Sequence, residues 1–170
     1  MANKILINIL RFIALVLLQS LVINKLNLGS SIQAFVYPLF ILLLPFNISG
    51  LALLFLSFFI GLSVDLFSAT MGLHTAASVF IAFMRPKILN ILEGLKNYSD
   101  FDMPGINNFG MMWFIQYTLL MMLMHNVVYF MLDAFSFSFF FSTLGRILIG
   151  TIASSLLIVL INILFKKNES

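Results

Sequence analysis

An all-α integral membrane protein, a compact bundle of six spanning helices in one domain, is the fold that this 170-residue sequence predicts. Three observations predict it. Hydrophobic residues make up 62% of the chain and charged ones only 9%, where soluble domains carry about 25% charged residues. Twenty phenylalanines and several near-continuous apolar runs, with a mean hydropathy of +1.12, exceed what a water-soluble core of this size can hide. The connections between the runs are short, and their basic residues are unevenly shared, as in membrane proteins. The absence of cysteine excludes disulfides, thiolate zinc sites and thiol catalysis. The pI near 9.4 is a property of the loops, so it bears on orientation rather than on nucleic acid, for which nothing in the chain argues.

A hydrocarbon core requires about 20 apolar residues in a helix, fewer where flanking side chains snorkel. The first run, 5–23, has roughly the shape of a signal peptide. Arg11 interrupts it, however, and Gln19 and Ser20 lead straight into LVINKL without a small-x-small cleavage site, so it is expected to remain as a spanning helix. The second, 32–46, is short and punctuated by Pro38 and Pro45, and its fusion with the third, 51–67, is the main alternative division. The fourth, 70–85, is also short and ends at Pro86, a residue well placed to open a helix. Beyond it Ile88, Ile91, Leu92 and Leu95 recur at helical spacing opposite Lys87, Asn90, Glu93 and Lys96. That pattern describes a membrane-surface helix continuing the fourth span past a kink, or a docking face for a cytoplasmic partner. NYSDFDMPGINN, 97–108, reads as an exposed turn-rich loop. The fifth and sixth runs, 111–132 and 139–165, are long enough to span.

Loop charge sets direction. With both termini cytoplasmic, the inside holds Lys4, Arg85, Lys87, Lys96, Lys166 and Lys167, and the outside only Lys25. The opposite orientation violates the positive-inside rule.

The polar residues inside the runs carry the functional question. Asp65 ends the stretch LALLFLSFFIGLSVD, where a charge near the bilayer centre costs about 2.5–3.5 kcal/mol on insertion scales. Ser57, Gly61 and Asp65 are four apart on one helical face, with Ser68 nearby, and small residues at that spacing let another backbone approach closely. His74, Ser78 and Arg85 share a face of the fourth run; Asn8, Arg11 and Gln19 form a stripe on the first; Arg146, Gly150 and Ala153 fall together on the sixth. Gln116, His125 and Asn126 on the fifth share no single face. The assumed orientation places Asp65, His74, Arg146 and Gln19 near the outer end, and Arg11 and Arg85 toward the cytoplasm. Asp65 has two ways to be kept: a buried ion pair with Arg146, or hydrogen bonds from Ser68, Thr70 and the amides of its own turn while Arg146 snorkels to the headgroups.

Catalysis finds little support. One intramembrane aspartate offers no acid–base pair and no two-metal site. Gly61-Leu62-Ser63 with His125 is too short a motif for a serine–histidine dyad. His74 and His125 lack a third histidine for zinc. An Asp65–His74 proton relay is a further alternative, but structural glue is the favoured role.

The third-to-fourth-run pattern Gly61-Leu-x-x-Asp65-Leu-Phe-Ser68-x-x-x-Gly72-Leu-His74-x-x-Ala77 resembles the signature of the rod shape-determining protein MreD family. Arg11-Phe12 with Gln19, Leu44-Pro45-Phe46 and Ala82-Phe83-x-Arg85-Pro86 extend the resemblance over essentially the whole chain. The resemblance implies a six-helix domain similar to the substrate-binding subunits of energy-coupling-factor transporters. It also implies a non-enzymatic inner-membrane component of the cell-elongation machinery, working with MreC principally, and with MreB, a SEDS-type glycosyltransferase and its transpeptidase. It implies no cofactor and no catalytic residue, and it marks Gly61, Asp65, Gly72 and His74 as important. The runner-up is a small-molecule-binding subunit of that transporter type. Against it, the first run has Ala14 alone where such subunits carry an alanine-x-x-x-alanine docking face. A lipid-handling role is a third possibility.

Reporter fusions at either terminus and within 97–108 are expected to report cytoplasm, and fusions near Lys25 or Asp133 the opposite side. An external C-terminus would overturn the depth assignments.

Overall fold

The computed structural model describes residues 2–26, 33–93, 103–134 and 140–165, and among them it contains helices and no strand. Seven helices follow one another: α1 (Ala2–Leu17), α2 (Leu39–Leu42), α3 (Gly50–Ser68), α4 (Leu73–Glu93), α5 (Ile106–Phe109), α6 (Met111–Ala134) and α7 (Phe140–Leu164). α1 continues through a π-helical turn, Leu18–Val22, and a 3-10 turn, Ile23–Lys25. Five stretches are long and apolar enough to cross a membrane: Ile5–Lys25, Gly50–Ser68, Leu73–Leu92, Met111–Ala134 and Phe140–Leu164. The protein is a multi-pass all-α membrane bundle. Its outer surface is apolar, with Ile5, Ile9, Phe55, Phe59, Ile152 and Leu156 among the exposed side chains.

The expected second spanning helix does not form. Residues 33–36 are irregular and 37–38 form a turn, and α2 is a single turn capped by Pro38 that stops before Pro45. Proline lacks the amide that a continuing helix needs and disfavours helical geometry in the residue before it. The fusion of 32–46 with the third run does not form either. Instead the segment threads the middle of the bundle: Ala34–Tyr37, Leu39–Leu42 and Leu44 are all buried. Tyr37 lies beside the His74 carbonyl, and Pro45 beside Arg85, eleven residues further along α4. That interval is about 16 Å of helix rise, so residues 37–45 run beside about half of α4.

α4 stands between α3 and α6, and α6 packs on α7. The N-terminal turns of α1 and the C-terminal end of α7 line one groove with residues 103–108, so the two described termini lie at the same end of the bundle. The expected continuation of the fourth span beyond Pro86 is present: α4 runs through that residue to Glu93 as one helix. Leu95, Lys96 and residues 97–102 lie outside the described residues. Of the expected exposed loop, Pro104 and Ile106 fold inward.

The glycine face of α3 is confirmed at Gly61. A Cβ there would meet the Thr75 Cα at 2.5 Å and the His74 carbonyl oxygen at 2.8 Å, so α3 touches the backbone of α4. Gly61→Ala should lower stability by about 1–3 kcal/mol through over-packing, read as thermal unfolding in micelles. Gly50→Ala, where a Cβ would have open space, is the control and should change little.

Candidate functional site

Asp65 is the centre of a hydrogen-bond system at the end of the bundle where α3 gives way to α4, the outer end in the expected orientation. Its side chain is almost fully buried and faces α4. Oδ1 accepts from the Thr70 hydroxyl at 2.5 Å and the His74 amide at 3.1 Å; Oδ2 accepts from the Thr75 amide at 2.9 Å and the Thr75 hydroxyl at 2.5 Å. The carboxylate is therefore a cap supplied by one helix to the first turn of the next. A helix N-terminus leaves its first amides without intrahelical partners and carries the positive end of the helix dipole, so an anion there is stabilised twice. The backbone supports this geometry. The Asp65 carbonyl accepts from the Thr70 amide at 3.1 Å, Ala69 ends α3 in the left-handed region at φ 53°, and Gly72 precedes α4 at φ +84°. Only glycine takes the last conformation without strain.

The Asp65–Arg146 ion pair is corrected. Arg146 Nη2 lies 2.9 Å from Asp133 Oδ2 and donates to Gln33 Oε1 at 3.2 Å, and its guanidinium sits 4.7 Å above the Phe130 ring. It closes the α6–α7 corner at the same end of the bundle. The alternative, hydrogen bonding by the local turn, is the one observed, with two differences. Ser68 does not reach Asp65; its Oγ accepts from Asn24 Nδ2 at 2.8 Å. Thr75 supplies the donors that Ser68 does not. A one-turn misjudgement explains this, because the partner face belongs to α4 rather than to α3 itself.

Gln19 and Arg85 act on the threaded segment. The π-helical turn carries Gln19 fully inside, where Oε1 accepts the Val36 amide at 2.7 Å. Gln19 Nε2 donates to the Ala34 carbonyl at 3.2 Å and to Asn24 Oδ1 at 2.6 Å. The Phe35 amide donates to Ser154 Oγ on α7 at 2.8 Å. At the other end Arg85, buried, donates to the Leu44 carbonyl, to the Pro45 carbonyl at 3.3 Å and to the Tyr117 hydroxyl at 2.9 Å. Tyr117 in turn lies 3.3 Å from the Leu42 carbonyl. Those carbonyls follow the end of α2, where a cation is favoured. Arg85 is thus an internal clamp, and it drops out of the loop charges that orient the chain.

Between these clamps runs a buried chain from Ser78 through Tyr37, His125, Asn126 and Thr151 to the Ile147 carbonyl, with successive distances of 3.4, 2.6, 3.1, 3.1 and 2.7 Å. One proton assignment satisfies every link: each group donates to the next, which places the His125 proton on Nδ1. Phe35 and Tyr129 pack against the His125 ring. His125 is thereby engaged with Tyr37, while Ser63 Oγ donates to the Phe59 carbonyl at 2.8 Å, so the serine–histidine dyad does not assemble. The relay pair is not joined through the imidazole either, since it is the His74 amide that meets Asp65. Three metal-ligating side chains converge nowhere among the described residues.

Clefts open toward both ends of the bundle. The one beside the α3–α4 turn, the outer one in the expected orientation, has a volume of about 350 Å³ and is lined by Ser20, Asn24, Gln33, Thr70, His74 and Tyr129 among others. Two buried polar atoms of these residues, Ser20 Oγ and His74 Nδ1, have no partner. The inner one, about 640 Å³, is walled by apolar residues around Arg11, whose Nη1 donates to Asn8 Oδ1 at 3.1 Å. Gly72 and Gly61 shape the α3–α4 hairpin and touch neither the polar chain nor the inner groove. Tyr37, Thr75, Tyr117 and Ser154 went unmarked in the sequence, and Asn126 was marked without a partner. The one signal for the first was its position before Pro38 in a run too short to span as a helix.

Asp65→Ala should destabilise by about 2 kcal/mol or more, because capping donors lose a charged acceptor. Asp65→Asn should restore little of this, since its amide would present donors to the Thr75 donors. Arg146→Ala and Asp65→Ala are expected to add within about 0.5 kcal/mol, whereas Arg146→Ala and Asp133→Ala should couple. Double-mutant cycles of thermal unfolding in micelles decide this, and coupling between Asp65 and Arg146 would reverse the assignment.

Comparison of the chain with protein-family models, with curated proteins and with solved structures finds no match. The functional reading therefore rests on the residues and their geometry.

Proposed function

We propose that this protein is a non-enzymatic scaffold of the bacterial cell-elongation machinery in the inner membrane, holding an MreC-type single-span partner near the wall synthases. The observation that carries the proposal is the use made of the signature Gly61…Asp65…Gly72…His74. Gly61 admits the α4 backbone, Asp65 caps α4 through the His74 and Thr75 amides, and Gly72 supplies the turn. Gly61, Asp65, Gly72 and the His74 amide are spent on holding two helices in one rigid hairpin. That is what a scaffold needs and what a turnover site does not. On this reading the domain crosses the membrane six times, the second crossing being the threaded segment, in the manner of the energy-coupling-factor substrate-binding subunits. Both termini are cytoplasmic, an orientation supported by Lys4 and Lys87 against Lys25 even after Arg85 is removed from the count.

The second reading, a small-molecule-binding subunit of that transporter type, is favoured by the outer cleft with its unpartnered Ser20 and His74 atoms. Depletion separates the two. The scaffold reading expects rod-shaped cells to widen and round while still making cross-linked wall, and a pull-down from native membranes to recover a single-span periplasmic protein. Normal rod width after depletion, together with a small molecule copurifying with the wild type and lost from His74→Ala, would transfer the assignment to the transporter reading.

A further inference from the structure

Three arginines lie within the apolar helices, and the bundle treats them differently. Arg85 is enclosed by carbonyls and the Tyr117 hydroxyl, and Arg146 is paired with Asp133. Arg11 is half-buried, makes one side-chain hydrogen bond, to Asn8, and has no carboxylate within ion-pair distance among the described residues. A guanidinium offers five N–H donors, so most of its capacity faces the groove it lines.

That groove has the chemistry of one kind of ligand. Arg11 stands six residues inside the first apolar run, about 9 Å along the helix. Side chains on a helix lean toward its N-terminus, and the bond to Asn8 shows that Arg11 does so, which brings the guanidinium down toward the headgroup boundary. Asn107 and Asn162 line the same opening, while Ala14, Leu18, Leu39 and Leu43 continue the groove deeper as an apolar wall. Among the described residues no aspartate or glutamate lines it. Among the described residues the groove thus pairs the Arg11 cation at headgroup level with an aliphatic slot above it, and offers no anion to the ammonium of a zwitterionic headgroup.

We propose that this inner groove, bounded by α1 and the end of α7, binds one anionic glycerophospholipid, with its phosphodiester on Arg11 and an acyl chain along Ala14, Leu18, Leu39 and Leu43. The bound lipid fills the space beside the N-terminal turns of α1, whose side chains Ile7 and Leu10 are exposed there. It braces that helix against the end of α7.

The test is native mass spectrometry of the full chain titrated with phosphatidylglycerol and phosphatidylcholine. The wild type should retain one phosphatidylglycerol about fivefold better than phosphatidylcholine, the preference one basic residue confers near a membrane surface. Arg11→Gln should lose that preference while still binding phosphatidylcholine. A photoactivatable phosphatidylglycerol bearing its reactive group on the acyl chain probes the unmutated protein, and its cross-links should map to 14–18 and 39–43. Equal retention of the two lipids, preference surviving in Arg11→Gln, or cross-links spread evenly over the helices would overturn the proposal. So would displacement of phosphatidylglycerol by equimolar polyprenyl phosphate, or by formation of a dimer through this face.

Discussion

A stretch of backbone buried without a helix is the constraint around which this bundle is organised. In a hydrocarbon environment no water satisfies a free amide or carbonyl, and each one left unpaired costs several kcal/mol. Residues 33–46 make a helix only for the four residues of α2, yet they lie at the centre. Side chains from the surrounding helices therefore complete the bonding: Gln19 and Ser154 at one end, Arg85 and Tyr117 at the other. Irregular backbone survives at membrane depth only when enclosed by protein. Here the enclosure comes from α1, α3, α4, α6 and α7 together.

The same constraint accounts for the polar residues of those helices. Gln19 turns inward because a π-helical turn shifts its register, and such turns recur where a helix serves something other than itself. Arg85 has a reason to be buried that involves no carboxylate: the carbonyls following α2 supply a local negative end. Tyr37, itself part of the segment, links to His125 and so to α6 and α7. Each bond is short-range, but together they tie four spanning helices, α1, α4, α6 and α7, to one strand of irregular chain.

The α3–α4 hairpin is the second rigid unit, and it obeys a separate logic. Close approach at Gly61 brings the start of α4 within reach of Asp65, and the carboxylate then replaces the acceptors that the first turn lacks. Neither works alone. Without the glycine the helices would stand apart, and without the aspartate the approach would bury unpaired amides. The α3–α4 corner, the clamped central segment and the groove between α1 and the end of α7 are three separate parts of the bundle.

Composition and run length alone determined the class: a chain this apolar, broken into stretches of spanning length, has to be a membrane bundle. Five of its long helices were legible for that reason, as was the small-residue face at Gly61, since both follow from the period of one helix. Residues 32–46 were misread because hydropathy reports burial and not hydrogen bonding, and Pro38 and Pro45 were the only marks of the difference. Asp65 was correctly singled out as a residue that needs a partner. Which partner it takes was decided by the packing of α3 on α4, because a carboxylate is satisfied equally by a guanidinium or by four well-placed donors. Sequence spacing can place Asp65 and Arg146 at one depth; only the arrangement of helices around the bundle determines that Arg146 meets Asp133 and that Asp65 meets the start of α4.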